Sequence, residues 1–299
     1  MHPPRWSLLI AAPVLLALSG AAAAQVPPVN ITPLGPETPR WVGHFTVLAG
    51  NATIGAITGG VLQKLRGGSF TDGFARGALG GAVIYAGKRA AVQDFWGAGF
   101  LGREIHAAGV SMVRNASEGE ATFSRLFLPL GPLPVRATVS LTNGVHVRPQ
   151  LDLSAAAWLT YGLVESRLQL QLGESLSAGA AVFEADGRRI LDSGGPLGGF
   201  MAGRSIFRSD PRTLSALTVR EVMAHERVHV LQGDFLLTAW SEPLTLALLR
   251  PVPGGRFVTR YAALDVLDWV VGTLNRIIYD SSDFSRFPTE LEAEFLSGR

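Results

Sequence analysis

Ala224-His225-Glu226-Arg227-Val228-His229-Val230-Leu231-Gln232 is the stretch from which the rest of this chain is best read. It contains His-Glu-x-x-His. On a helix of 3.6 residues per turn, His225 and His229 lie one above the other on a single face. Two neutral imidazoles placed in this way can share one zinc ion, with Glu226 beside them to take a proton from a metal-bound water. The local pattern is helical. Thr218-Val219-Arg220-Glu221 reads as a capping box ahead of an apolar-periodic run. Val222, His225, His229 and Gln232 follow one stripe, flanked by Val219, Met223, Val230 and Leu231, and Gly233 reads as a stop signal. The expectation is a helix of about four turns.

Composition narrows what surrounds that helix. The chain has 299 residues, 47% hydrophobic and 17% charged, enough for a sizeable core in one or two domains. A formal charge of +2 with no basic cluster argues for no nucleic acid partner. The 26 basic residues are Arg except for Lys64 and Lys88. Cysteine is absent, so there is no disulfide framework and no thiolate ligand, and any metal must be held by His and carboxylates.

Residues 1–24 read as a secretory signal peptide: Arg5 in the n-region, an apolar core from Ser7 to Leu18, and Ala22-Ala23-Ala24 ahead of Gln25. The mature chain is then expected to be exported to a periplasm, the cell envelope or the exterior. Residues 25–41 form a Pro-rich leader with five prolines.

Residues 42–116 are rich in Gly and Ala. Ala52, Gly55, Ala56, Gly59 and Gly60 form one small-residue ridge, and Gly73, Gly77 and Gly81 form another, with a turn at Gly67-Gly68-Ser69 between them. A helical glycine costs about 1 kcal/mol relative to Ala, and close backbone approach between two helices is the usual compensation. With Asn51, Lys64 and Arg66 bounding one segment and Asp72, Arg76, Lys88 and Arg89 the other, a soluble helical hairpin is favoured over a membrane-inserting one. Membrane contact is therefore not favoured. A third helix is expected over Leu101–Asn115, with His106 read as a satisfied structural residue.

Alternation of apolar and polar residues predicts strands at 125–130, 135–141 and 145–151, the last two joined at Thr142-Asn143-Gly144. A helix capped by Ser154 over Ala155–Val164 follows, then strands at 167–172, 180–184 and 205–208. Ser193–Phe200 reads as loop. Beyond the His-Glu-x-x-His helix, 240–249 and Tyr261–Tyr279 have helical spacing, with Leu264, Leu267, Val271 and Leu274 as core positions, and Asp280–Asp283 as a turn.

His225-Glu226-x-x-His229 resembles the zincin metallopeptidases. A metzincin would continue to Gly and a third His, where this chain has Gln232 and Phe235. Near the C-terminus, Pro288-Thr289-Glu290-Leu291-Glu292-Ala293 resembles the Pro-x-Glu-x-x-Ala signature of small bacterial gluzincin-like proteins with His-Glu-x-x-His-x-x-Gln. The resemblance covers the helix and this short segment. It implies Glu290 as the third zinc ligand beside His225 and His229. Glu294 lies on the same face one turn on, Glu242 is a further alternative, and Glu292 points about 200° away from Glu290.

The expected class is α+β: a Gly-rich helical hairpin (42–116), a mainly antiparallel sheet (117–210), and a helical zincin-like half carrying the motif (211–299), together one domain. By the resemblance, Ser205–Arg208 is a candidate substrate-binding edge strand. The implied function is an exported zinc-dependent metallopeptidase acting on a peptide or protein, with Glu226 as catalytic base and Tyr261, Tyr279 or His146 as candidate oxyanion donors. The alternative is a non-catalytic cell-envelope structural or interaction protein with a structural or degenerate metal site.

Overall fold

The structure, a computed structural model, describes residues 39–185, 198–213, 216–267 and 288–298. The expected signal peptide, most of the Pro-rich leader, and Val271, Leu274, Tyr279 and the Asp280–Asp283 turn lie outside those residues. The described residues from Val47 onward form one compact unit, which holds both sheets and the His-Glu-x-x-His helix.

Three helices come first: α1 (Arg40–Leu65), α2 (Phe70–Ala91) and α3 (Ala98–Glu118). The turn between α1 and α2 passes through Gly67 at φ 84° and ends at Ser69, whose hydroxyl accepts from the Asp72 N–H. Glycine decides how these helices pack. A Cβ on Gly77 would run into the Gly55 carbonyl, and one on Gly81 into the Asn51 carbonyl. On its other side α2 meets α3, where a Cβ on Gly109 would lie 2.6 Å from the Ile84 nitrogen. The middle helix thus carries two glycine seams, where one was expected.

The first helix departs from expectation in length. It starts at Arg40, so Asn51 falls in its middle and Lys64 in its last turn. By length and composition it is long and apolar enough to cross a membrane, with a mean hydropathy of 1.4 over its most apolar window, 33% of which is buried.

The sheet region is mixed, and the chain as a whole is α+β. Instead of one sheet, the described residues form two of four strands. In the first, β1 (Arg125–Pro129), β2 (Val135–Ser140) and β3 (His146–Asp152) form an antiparallel meander, and β8 (Ala262–Ala263) pairs parallel with β3. In the second, the order is β4 (Leu168–Leu170), β5 (Val182–Ala185), β7 (Ser205–Arg208), β6 (Gly199–Ala202). Its β5–β7 pair is parallel and the other two are antiparallel.

Several boundaries are corrected. Helix α4 (Leu153–Val164) is capped by Asp152, which accepts from the Ala155 N–H at 3.0 Å, and Ser154 lies inside it. Leu172, expected to end a strand, starts α5 (Leu172–Ala178), a seven-residue helix too short for its period to show in the sequence. Tyr261 ends α8 (Gly255–Tyr261) where a long helix was expected to begin, because the next two residues pair with β3 as β8. Most instructive is β7: with β5 on one side and β6 on the other, Ser205–Arg208 is an inner strand and cannot be the free edge. Among the described residues the outer strand on one side of β7 is β6, which begins in a stretch that reads as loop because of its glycines.

The His-Glu-x-x-His segment lies on α6 (Ala216–Leu236). This helix starts before Thr218, so the expected capping box falls in its first turn. It also runs through Gly233 to Leu236 and continues as a π-helical turn (Leu237–Ser241) into α7 (Glu242–Leu249). The stop signal fails because tertiary contacts outweigh it. Asp234 receives two hydrogen bonds from the buried Arg103 of α3, at 2.6 and 3.0 Å. Phe235 packs on Ile84, Val110 and Val113.

Helix α6 is held on two sides. Met223 and Val230 join Ala178, Ala180, Val182 and Ile206 beneath the second sheet. On the other side Val228 packs on Ala293 and Leu296 of α9 (Pro288–Ser297), with Val47, Tyr85 and Val92 around them. Between the sheets, Arg204 adopts φ 66° and is held by Asp265 at 2.6 Å and Asp152 at 2.9 Å.

The glycine seam makes an opposed pair of outcomes. Gly77→Ala puts a methyl into the Gly55 carbonyl and is expected to destabilise by about 1–3 kcal/mol in denaturant unfolding. Gly50→Ala in α1 meets nothing within 4 Å and is expected to stabilise by about 0.5–1 kcal/mol through helix propensity alone.

Candidate metal centre

One turn of α6 separates the two histidines, whose ring centroids lie 4.7 Å apart with the rings nearly perpendicular. The docking of α9 on Val228 brings Glu290, in its first turn, against both. Three atoms then form a compact triangle: His225 Nε2 to His229 Nε2 3.0 Å, His225 Nε2 to Glu290 Oε2 3.1 Å, and His229 Nε2 to Glu290 Oε2 3.3 Å. Among the described residues this is the group of His and carboxylate side chains close enough to hold a metal ion.

Do these residues fit a zinc ion? A tetrahedral ion bound at 2.0–2.1 Å separates its ligand atoms by about 3.3–3.4 Å, close to the triangle's edges. The hydrogen-bond network supplies a second argument. Gln232 donates its amide to the Thr289 carbonyl at 3.1 Å and to Glu292 Oε2 at 2.9 Å, so its Oε1 is the atom that faces His229 Nδ1 at 2.8 Å. An oxygen there requires the proton on Nδ1 and leaves the neutral imidazole with a bare lone pair on Nε2. That lone pair points at a carboxylate and at another imidazole nitrogen. The arrangement calls for positive charge at its centre, and the donor set suits zinc.

The titration behaviour agrees. Burial alone would lower the His229 pKa, but the Glu290 hydrogen bond and the Glu226 and Glu290 charges raise it to about 9. Burial would raise Glu290, yet hydrogen bonds from His225 and His229 bring it down to about 2.

Glu226 is buried at 5% exposure, and its charge reaches His229. Strand β6 runs alongside it: a Cβ on Gly199 would stand 3.5 Å from Glu226 Cγ and 2.8 Å from a Val222 methyl. The glycine that makes this strand read as loop is what lets it lie against the helix.

The other candidates lie elsewhere. Glu294 is not among the converging groups. Glu242 is buried on the side of the first sheet, 2.7 Å from Arg136 Nη2; burial raises its pKa, but Arg136 and Arg114 bring it below the ordinary carboxylate value. Glu292 turns from the triangle to Lys88, Asn51 and Gln232. His146 is exposed on β3, its ring nitrogen 3.2 Å from the Asn143 carbonyl. Tyr261 is half-exposed, against Phe257 and Arg260. Tyr279 lies outside the described residues. His106, expected to be a satisfied structural residue, is fully buried, and among the described residues neither ring nitrogen has a hydrogen-bond partner.

Sequence reasoning missed the supports behind His229. Gln232 was visible on the histidine stripe and in the His-Glu-x-x-His-x-x-Gln likeness, but without the role of orienting His229. The buried Lys88 donates to Glu292 at 2.7 Å and Asn51 at 2.9 Å, both distant in sequence. Its one advance signal was its identity, one of two lysines in a chain whose other basic residues are all arginine.

The proton on His229 sets a pH dependence. Its raised pKa stabilises the metal-free fold fully below the unfolded value near 6.5, and that stabilisation is lost as pH rises through about 9. A metal ion must displace this proton, so zinc affinity is expected to rise up to tenfold per pH unit between those limits, with release of about one proton per ion. Calorimetric titration in buffers of different ionisation enthalpy checks both.

Comparison of the chain with protein-family models, with curated proteins and with solved structures finds no match.

Proposed function

We propose that this chain is a zinc-dependent hydrolase of the zincin type, acting on a peptide or protein, with His225, His229 and Glu290 as the metal ligands. The observation that carries the reading is the triangle of Nε2, Nε2 and Oε2 at 3.0–3.3 Å, assembled from two histidines and a glutamate 61 residues beyond the second of them. Three protein ligands leave a fourth position for water, which separates a catalytic zinc site from a closed structural one. When bound there, zinc supplies a Lewis acid that polarises a carbonyl and makes a water acidic near neutral pH.

The remaining work falls to the chain itself. The Glu226 carboxylate accepts a proton from the attacking water as its oxygen bonds to the peptide carbonyl carbon. It then delivers that proton to the departing amine nitrogen as the C–N bond breaks. Burial of Glu226 keeps competing solvent away. Strand β6, beside Glu226 and one of the two outer strands of its sheet among the described residues, is in this reading the element that holds an extended peptide by main-chain hydrogen bonds. Export, as read from residues 1–24, belongs to the same proposal.

Two measurements test it. Glu226→Gln is expected to retain one zinc per chain while losing peptide hydrolysis by at least about a hundredfold. Glu290→Ala is expected to lose tight zinc binding, and Glu294→Ala to keep it. A purified wild-type chain that takes up no zinc would end the proposal, and zinc lost from Glu294→Ala but kept in Glu290→Ala would move the third ligand.

A further inference from the structure

The glycine-packed helices stand apart from the proposed chemistry, yet they send two side chains to it. Lys88 lies on α2 and is 5% exposed. Its ammonium donates to Glu292 Oε2 at 2.7 Å and to Asn51 Oδ1 at 2.9 Å. Asn51, on α1, donates its own amide to Glu292 Oε1 at 2.7 Å and to the Val47 carbonyl at 2.9 Å. Both carboxylate oxygens of Glu292 are therefore occupied from the hairpin side. One of them, Oε2, also accepts from Gln232 Nε2 at 2.9 Å.

The consequence runs through Gln232. An amide has two faces of nearly equal shape, and only its partners decide which atom points where. With Glu292 fixed as an anion, the Gln232 NH₂ is drawn to it and to the Thr289 carbonyl. Its oxygen must then face His229 Nδ1. If the amide were reversed, its NH₂ would face Nδ1, and the imidazole would carry its proton on Nε2. A protonated Nε2 cannot ligate a metal.

We propose that Lys88 and Asn51 are positioning residues of the metal site: through Glu292 and Gln232 they hold His229 in the tautomer whose Nε2 is free to bind. The inference rests on the zinc reading above and adds to it that the glycine-rich hairpin is a working part of the site. It also accounts for a lysine in an arginine-rich chain. The compact ammonium reaches a carboxylate and an amide oxygen at once, whereas a planar guanidinium is bulkier and differently directed. The glycine seams serve the same end, because they bring α1 and α2 close enough for Asn51 and Lys88 to meet.

The test is zinc affinity by chelator competition on the full chain, with far-UV circular dichroism confirming the fold and the visible ligand-field band of the Co²⁺-loaded protein reporting geometry. Asn51→Ala and Gln232→Met are each expected to weaken zinc binding about tenfold to a hundredfold and to shift the Co²⁺ band. Because both act on one chain of bonds, Asn51→Ala added to Gln232→Met is expected to cost little more than Gln232→Met alone.

Lys88→Met combined with Glu292→Leu removes both buried charges together, avoiding an unpaired one, and is expected to weaken zinc binding to the same degree. If that double variant does not fold, the Asn51 and Gln232 pair decides. Wild-type zinc affinity and Co²⁺ spectrum in folded Asn51→Ala, or losses that multiply in the combined variant, would overturn the inference and leave the proposed function standing. Absence of zinc binding by the wild type would overturn both.

Discussion

The packing of Val228 against Ala293 and Leu296 is the contact on which the site depends. All three are almost wholly buried, and they lie on two helices that the sequence places far apart. Val228 sits between the two histidines in sequence, so whatever docks on it must pass beside them. Ala293 is the small residue that lets α9 come close, and Glu290 and Glu292 stand one turn and one position before it. The apolar contact sets the distance. The polar groups follow from it, Glu290 toward the imidazoles and Glu292 toward the hairpin.

Around that contact the molecule is organised as a helix held from several directions. The second sheet supports α6 through Val230 and Met223, Arg103 pins Asp234, and α9 closes the remaining side. Buried ion pairs recur at these junctions: Arg103 with Asp234, Arg136 with Glu242, Arg204 with Asp152 and Asp265, Lys88 with Glu292. Such pairs contribute modestly to net stability, since desolvation offsets much of the attraction, but losing one partner is costly. Their directional demands favour one arrangement of the elements over others. Near the site that selectivity matters, because a ligand set tolerates little displacement.

The hairpin gains a role once its neighbours are in place. By itself, a run of glycines at four-residue spacing is a packing device with no chemistry. In the fold those glycines let two helices approach so closely that Asn51 and Lys88 share one carboxylate. Glu292, which points away from Glu290 on the same helix, is that carboxylate. In the proposed reading, two faces of one short helix serve one centre, by ligation on one side and support on the other.

Local regularities carry what could be read in advance. The histidines four apart, the glycines of the first two helices, the three-strand meander with its Asn-Gly turn, and the α+β class all follow from periods of 3.6 or 2 within one segment. The Pro-x-Glu-x-x-Ala likeness also singled out Glu290, the carboxylate that reaches both imidazoles. Tertiary structure alone decided the rest. Gly233 does not end its helix because Asp234 and Phe235 are held by distant partners. Gly199 belongs to a strand because α6 leaves no room for a side chain there. Ser205–Arg208 is inner because β6 covers it, and Lys88, Asn51, Glu292 and Gln232 become one network only when four helices meet. A residue's period is a property of its neighbours along the chain, whereas its hydrogen-bond partners and the space around it belong to whatever the fold sets beside it.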